Sequence, residues 1–160
     1  MRRYLIGMIF LTALFLTMSA PHAEEAEPVL PEKTAKCPVC GMFVAKYPDW
    51  IAEIIFQDGK VVFFDGAKDL FKYYFDIDRY APEKTREDIR AVYVTTYYEL
   101  ELIDAKAAFF VVGSDVYGPM GHELIPHKNT SDAEAFSRDH GGKKTVKFGD
   151  IDPELIQSLD

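Results

Sequence analysis

Two stretches of this chain read in the same order, strand, strand, helix, strand, and that order limits the fold more than any other property of the sequence. The first is the clearer. Trp50 to Phe56 and Lys60 to Phe64 are β-branched and aromatic. Asp58-Gly59 between them is a two-residue hairpin signal, because glycine accepts a positive φ without steric cost. Asp65 is placed as a helix N-cap. Ala67 to Phe75 follows with Leu70, Phe71, Tyr74 and Phe75 on one helical stripe. A charged connection over 76–88, broken by Pro82, leads to a strand over Ile89 to Tyr97.

The second pass is fainter. Tyr98 to Ile103 and Ala107 to Val112 flank a turn at Asp104-Ala105-Lys106, and residues 113–121 form a glycine-bearing loop. His122 to Ile125 reads as a short strand. Ser131 with Glu134 fits a capping box for a helix to about His140. Gly141-Gly142 stops that helix, and Thr145 to Phe148 is a last strand. Asp58-Gly59-Lys60-Val61-Val62 and Met120-Gly121-His122-Glu123-Leu124 mark corresponding places in the two passes. The expected fold is α+β: two weakly similar ββαβ units packed together, over residues 37–97 and 98–160. The many aromatic residues are assigned to the core.

Residues 1–23 read as a signal peptide. Arg2 and Arg3 precede the apolar run Leu5 to Met18, which is short for a membrane span, and Ser19 to Ala23 is a small-residue cleavage zone. No cysteine stands at the cleavage zone, so a lipid anchor is not expected. Membrane attachment is expected only if the signal segment is retained. Residues 24–36 are charged, carry Pro28 and Pro31, and read as a flexible tether. The formal net charge is −8, and loss of Arg2 and Arg3 makes the mature chain more acidic still. An acidic chain without a basic run argues against nucleic-acid partners.

Cys37-Pro38-Val39-Cys40-Gly41-Met42 holds the chain's only two cysteines. Thiolate and thioether sulfur are soft donors of the kind that select Cu(I) over hard cations. Three other uses of the pair compete with metal binding. A structural disulfide suits an exported protein, yet so short a loop constrains the unfolded chain little. A thiol-disulfide oxidoreductase needs its pair at a helix N-terminus after a strand, whereas a charged tether precedes this one. A tetrahedral zinc site needs two further ligands, and His122, His127 and His140 show no such spacing. Outside residues 1–23 the methionines are Met42 and Met120, both beside glycine and outside any apolar periodic run. His122 lies two residues after Met120. Glu123 either orients a ligand or is a solvated strand carboxylate. No nucleophile triad, phosphate-cradling loop or close carboxylate pair is apparent, so no catalytic residue is assigned.

With those residues in view, the chain resembles the NosL family, copper-binding accessory proteins of nitrous oxide reductase. The resemblance rests on Cys37 to Met42, on Asp58-Gly59 with Phe63-Phe64-Asp65-Gly66 and Lys68-Asp69-Leu70-Phe71, and on Pro119 to Pro126. It implies paired ββαβ units similar to a domain of organomercurial lyase. It also implies Cu(I) as cargo and a non-enzymatic, metallochaperone-like role in the periplasm or an equivalent exported location. The recipient is a copper-receiving periplasmic protein or a membrane copper-transfer complex. Cys37, Cys40, Met42 and Met120 are the candidate metal ligands, with His122 in reserve. The alternative carried forward is an enzyme using the Cys37/Cys40 pair: a thiol-disulfide oxidoreductase, or a lyase-like heavy-metal enzyme with a nearby carboxylate. A passive domain with a structural disulfide is the third reading.

Overall fold

The computed structural model describes residues 26–160. The expected signal segment and the first two residues of the expected tether lie outside them. Among the described residues no helix is long and apolar enough to cross a membrane.

The fold is α+β. Strands β1 (Ala52–Phe56) and β2 (Val61–Phe64) form the hairpin around Asp58-Gly59, and Gly59 takes the left-handed φ of 83° that the turn requires. Helix α1 (Ala67–Phe75) and the short α2 (Ile77–Tyr80) lead to β3 (Ile89–Thr95). With β4 (Leu102–Asp104) these strands make an antiparallel sheet in the order β2-β1-β3-β4. A second sheet has β5 (Phe109–Val112) at its centre, between β8 (Ile125–His127) and β9 (Lys144–Lys147). Between β5 and β8 projects a small hairpin of β6 (Tyr117–Gly118) and β7 (Gly121–His122), with Pro119-Met120 at its turn. Helix α3 (Thr130–His140) joins β8 to β9 and ends at Gly141, whose φ is 66°. A last short helix, α4 (Pro153–Gln157), packs against α1.

Helix α1 is the hub. Ala67, Leu70, Phe71 and Tyr73 are buried, and so are Lys68 and Asp69, so its first turn is enclosed rather than amphipathic. Phe71 is fully buried, with ring contacts to Phe110 of β5 at 5.6 Å and to Phe148 at 5.1 Å. One apolar core, with Ile54, Phe64, Phe71, Phe110, Leu124 and Ile156 among its members, therefore serves both sheets. Residues 26–36 touch β1 and β3: the Tyr93 hydroxyl donates to the Ala26 carbonyl, and the Val29 N–H donates to buried Glu53 at 2.9 Å. Burial pushes the Glu53 carboxyl up to about 7, against the lowering effect of that N–H.

Four local expectations differ from the structure. Residues 98–112 do not pair as a hairpin; β4 joins β3, while β5 belongs to the other sheet. The Ala105 N–H bonds the Val92 carbonyl, and Ala105 and Ala108 are both buried, so this turn carries the chain from one sheet to the next. His122 to Ile125 is not one strand, because β7 ends at His122 and β8 begins at Ile125, with Glu123 and Leu124 buried between. The cap of α3 is Asn129, whose side chain accepts the Asp132 N–H at 3.0 Å, not Ser131. The N-cap of α1 is Gly66, which frees Asp65 for another use.

His127 is buried among Tyr97, Tyr98 and Phe136, and neither ring nitrogen has a hydrogen-bond partner among the described residues. Burial holds its pKa down to about 4 from an ordinary 6.5; Asp132 and Glu99 pull it up and His140 pushes it further down. Below pH 6.5 the unfolded chain gains a proton that the folded chain refuses. The melting temperature is therefore expected to fall as pH drops from 6.5 toward 4. In His127→Phe that slope should flatten, and an equally steep slope in the variant would assign acid sensitivity elsewhere.

Candidate metal centre

The centre begins with a tight knuckle. Cys37 N–H donates to the Met42 carbonyl at 2.9 Å, and Gly41 N–H to the Cys37 carbonyl at 2.9 Å. Gly41 has a φ of 79°, a conformation that side chains with a Cβ rarely adopt. A single antiparallel bridge between Lys36 and Phe43 closes the base of the loop. Both thiols thus face the start of α1, and both are free.

Two carboxylates meet them there. The buried Cys37 thiol donates to Asp69 Oδ2 at 3.3 Å, and the half-buried Cys40 thiol to Asp65 Oδ1 at 3.1 Å. Asp69 lies in the first turn of α1 and Asp65 just before its N-cap Gly66, so the start of the helix presents both carboxylates to the thiols. One donor atom from each of the four residues lies within 4.8 Å of all the others. Asp65 Oδ2 is buried without a hydrogen-bond partner among the described residues. An unsatisfied buried carboxylate oxygen is costly, and a cation held by this cluster would satisfy it.

The thiols are far from activated. Burial pushes the Cys37 pKa well above the ordinary thiol value, and the neighbouring Asp69 charge adds to the effect. Burial raises Cys40 to about 12; the Met42 N–H opposes this, while Asp65 and Asp69 reinforce it. The thiolate is the nucleophile, so Cys40 should alkylate slowly with iodoacetamide at pH 8. Asp65→Asn should raise that rate several-fold; a rate no faster than wild type would show that Asp65 does not hold the proton on sulfur.

The remaining sequence-derived residues lie around this cluster. Met42 is half-buried and closes the knuckle through its carbonyl. Met120, at the β6–β7 turn, is exposed, and its carbonyl accepts from the buried Lys68 ammonium at 2.9 Å. That bond brings the hairpin to the first turn of α1, next to Asp69. His122 is not among the four clustered donors; its exposed ring packs against Tyr117 at 4.8 Å between centroids.

A family model described as NosL matches residues 28–156. The chain belongs to the NosL family. The match takes in the knuckle and the first turn of α1, which build the cluster, and the β6–β7 hairpin beside them. Two NosL proteins are similar to this chain in sequence or shape. The copper-binding lipoprotein NosL of Stutzerimonas stutzeri is 28% identical over 147 residues, covering 84% of this chain and 70% of that protein. The crystal structure of the copper chaperone NosL from Shewanella denitrificans superposes with a TM-score of 0.68 at 29% identity, covering 80% of this chain and 97% of that one. These NosL relatives are named as a binding protein and a chaperone, not as enzymes.

The close carboxylate pair is what sequence reasoning missed. Asp65 is no helix cap, and Asp69 stands in sequence as an ordinary first-turn acid. The available signal is two acids four residues apart, on either side of the helix start at Gly66, directly after two apolar strands. Without knowing that the cysteine knuckle packs on that turn, the spacing has no chemical meaning.

Proposed function

We propose that this chain binds a single Cu(I) ion at Cys37 and Cys40 and delivers it outside the cytoplasm as a non-enzymatic carrier. Met42 and Met120 complete a sulfur-rich ligand set, with His122 as a reserve donor at the surface. The observation that carries the reading is the convergence of both free thiols with two carboxylates, one oxygen of which is unsatisfied, in a loop next to solvent. Soft sulfur selects Cu(I) from the borderline and hard cations that surround an exported protein. A half-exposed Cys40 and an exposed Met120 let a recipient displace the ligands one at a time. The names of the two relatives supply the metal. The signal-like residues 1–23 and the lipoprotein name of the Stutzerimonas relative support export.

The proposed recipient is a periplasmic copper enzyme such as nitrous oxide reductase, reached directly or through a membrane copper-transfer complex. An oxidoreductase role fits poorly, since a working dithiol needs a lowered thiol pKa and both of these are raised. The test is the copper content of nitrous oxide reductase purified from cells lacking this chain. Low copper, restored by the wild-type chain but not by a Cys37→Ser/Cys40→Ser chain, is expected. A fully loaded reductase without this chain would remove the proposed delivery target.

A further inference from the structure

Glu123 follows His122 directly and lies three residues after Met120, yet its side chain is buried against α1 rather than solvated. Its Oε1 accepts the Lys68 N–H at 2.5 Å and the Leu124 N–H at 2.8 Å. Two glycines make room for it. A Cβ on Gly66 would lie 2.2 Å from Glu123 Oε2, and one on Gly118 would lie 3.1 Å from Glu123 Cγ. Lys68 answers from the other side: its buried ammonium donates to the Met120 carbonyl at 2.9 Å and to the Leu159 carbonyl at 3.1 Å. A backbone N–H and an ammonium of one residue thus grip both ends of the segment 120–123. That residue is the immediate neighbour of Asp69, which holds the Cys37 thiol proton. Burying an ammonium and a carboxylate costs several kcal/mol unless each finds partners. Here each finds them, Lys68 pairing also with Asp160 at 3.6 Å, so the burial is tied to one placement of the β6–β7 turn on α1. The arrangement has a purpose if the position of Met120 matters.

We infer that Glu123 and Lys68 are positioning residues, a clasp that fixes the Met120-bearing turn at the first turn of α1 so that its thioether completes the copper site. Glu123 then acts on copper through Met120 and touches no metal itself. The inference rests on the reading of Met120 as a copper ligand.

The test measures Cu(I) affinity by anaerobic competition titration of the reduced full chain. The variants are Met120→Leu, Glu123→Leu, the Met120→Leu/Glu123→Leu double, Glu123→Gln and Lys68→Met, with thermal melts run beside them. Met120→Leu and Glu123→Leu are each expected to lower affinity about tenfold, the range found for groups that orient metal ligands. The double should be no weaker than Met120→Leu alone, because both act through one contact. Glu123→Gln keeps an acceptor for the Lys68 N–H and should stay near wild type. X-ray absorption at the copper edge should show one fewer sulfur neighbour in Glu123→Leu. If Glu123→Leu does not fold, Lys68→Met replaces it in the same comparison. A double variant that loses the full product of both single effects overturns the clasp while leaving Met120 a ligand. Wild-type affinity in Met120→Leu overturns the ligand reading, and the clasp with it.

Discussion

Replacing Cys37 and Cys40 together by serine is expected to lower Cu(I) affinity at least about a hundredfold, since each lost soft ligand costs about tenfold or more. Serine keeps nearly the size of cysteine and can still donate to Asp65 and Asp69, so the knuckle should survive. Its oxygen is a hard donor that does not ionise near neutral pH, so the metal loses both anionic sulfurs. The measurement is the same chelator competition, read against a far-ultraviolet circular dichroism spectrum that should match wild type. A double variant within about threefold of wild-type affinity would place the copper elsewhere on the chain.

The second large effect concerns stability. Phe71→Ala is expected to destabilise the protein by about 3–5 kcal/mol, the cost of truncating a fully buried phenylalanine in a packed core. Phe71 sits between the two sheets, against Phe110 and Phe148, with Phe75 stacked at 6.1 Å. The cavity would open where the halves of the chain share one core. Both halves should therefore lose stability in a single transition, measured by urea unfolding with tryptophan fluorescence and circular dichroism together. A loss below about 1 kcal/mol, or two separated transitions, would mean that α1 is not the common hub.

Much of this fold is legible in the sequence because its signals are local. The hairpin at Asp58-Gly59, helix α1 over Ala67–Phe75 and the stop at Gly141 follow from turn chemistry and apolar spacing within a few residues. The knuckle is legible because Cys37 to Met42 is contiguous. Helix α4 also has a local mark in Asp152-Pro153, with Asp152 accepting the Leu155 N–H at 2.8 Å and proline at the first helical position, but it is too short to show an apolar period. Asp65, Asp69, Lys68 and Glu123 were not legible. Asp65 reads as a helix cap, Lys68 and Asp69 as polar residues of a helix, and Glu123 as either a ligand-orienting group or a solvated carboxylate, whereas each is buried against a partner 25 to 91 positions away in sequence. Periodicity cannot report such pairings, because they depend on which surfaces meet after the local elements have formed.

The knuckle on the first turn of α1 also places both thiols where their pKa values are raised, so the pair is expected to react slowly in the absence of a metal. Burial and two carboxylates keep them protonated, and a bound cation reverses that balance because it needs the thiolate as its ligand. The same carboxylates then face a positive ion in place of two S–H groups.

The central claim is that the reduced chain holds Cu(I) on the sulfurs of Cys37 and Cys40. Its most direct test is X-ray absorption at the copper edge of the anaerobically loaded protein, with copper per chain counted on the same sample. The account predicts one copper per chain, in the Cu(I) state, with a sulfur-dominated first shell that is lost in Cys37→Ser/Cys40→Ser. A shell of nitrogen and oxygen alone, or a wild-type spectrum that the double variant reproduces, would contradict it.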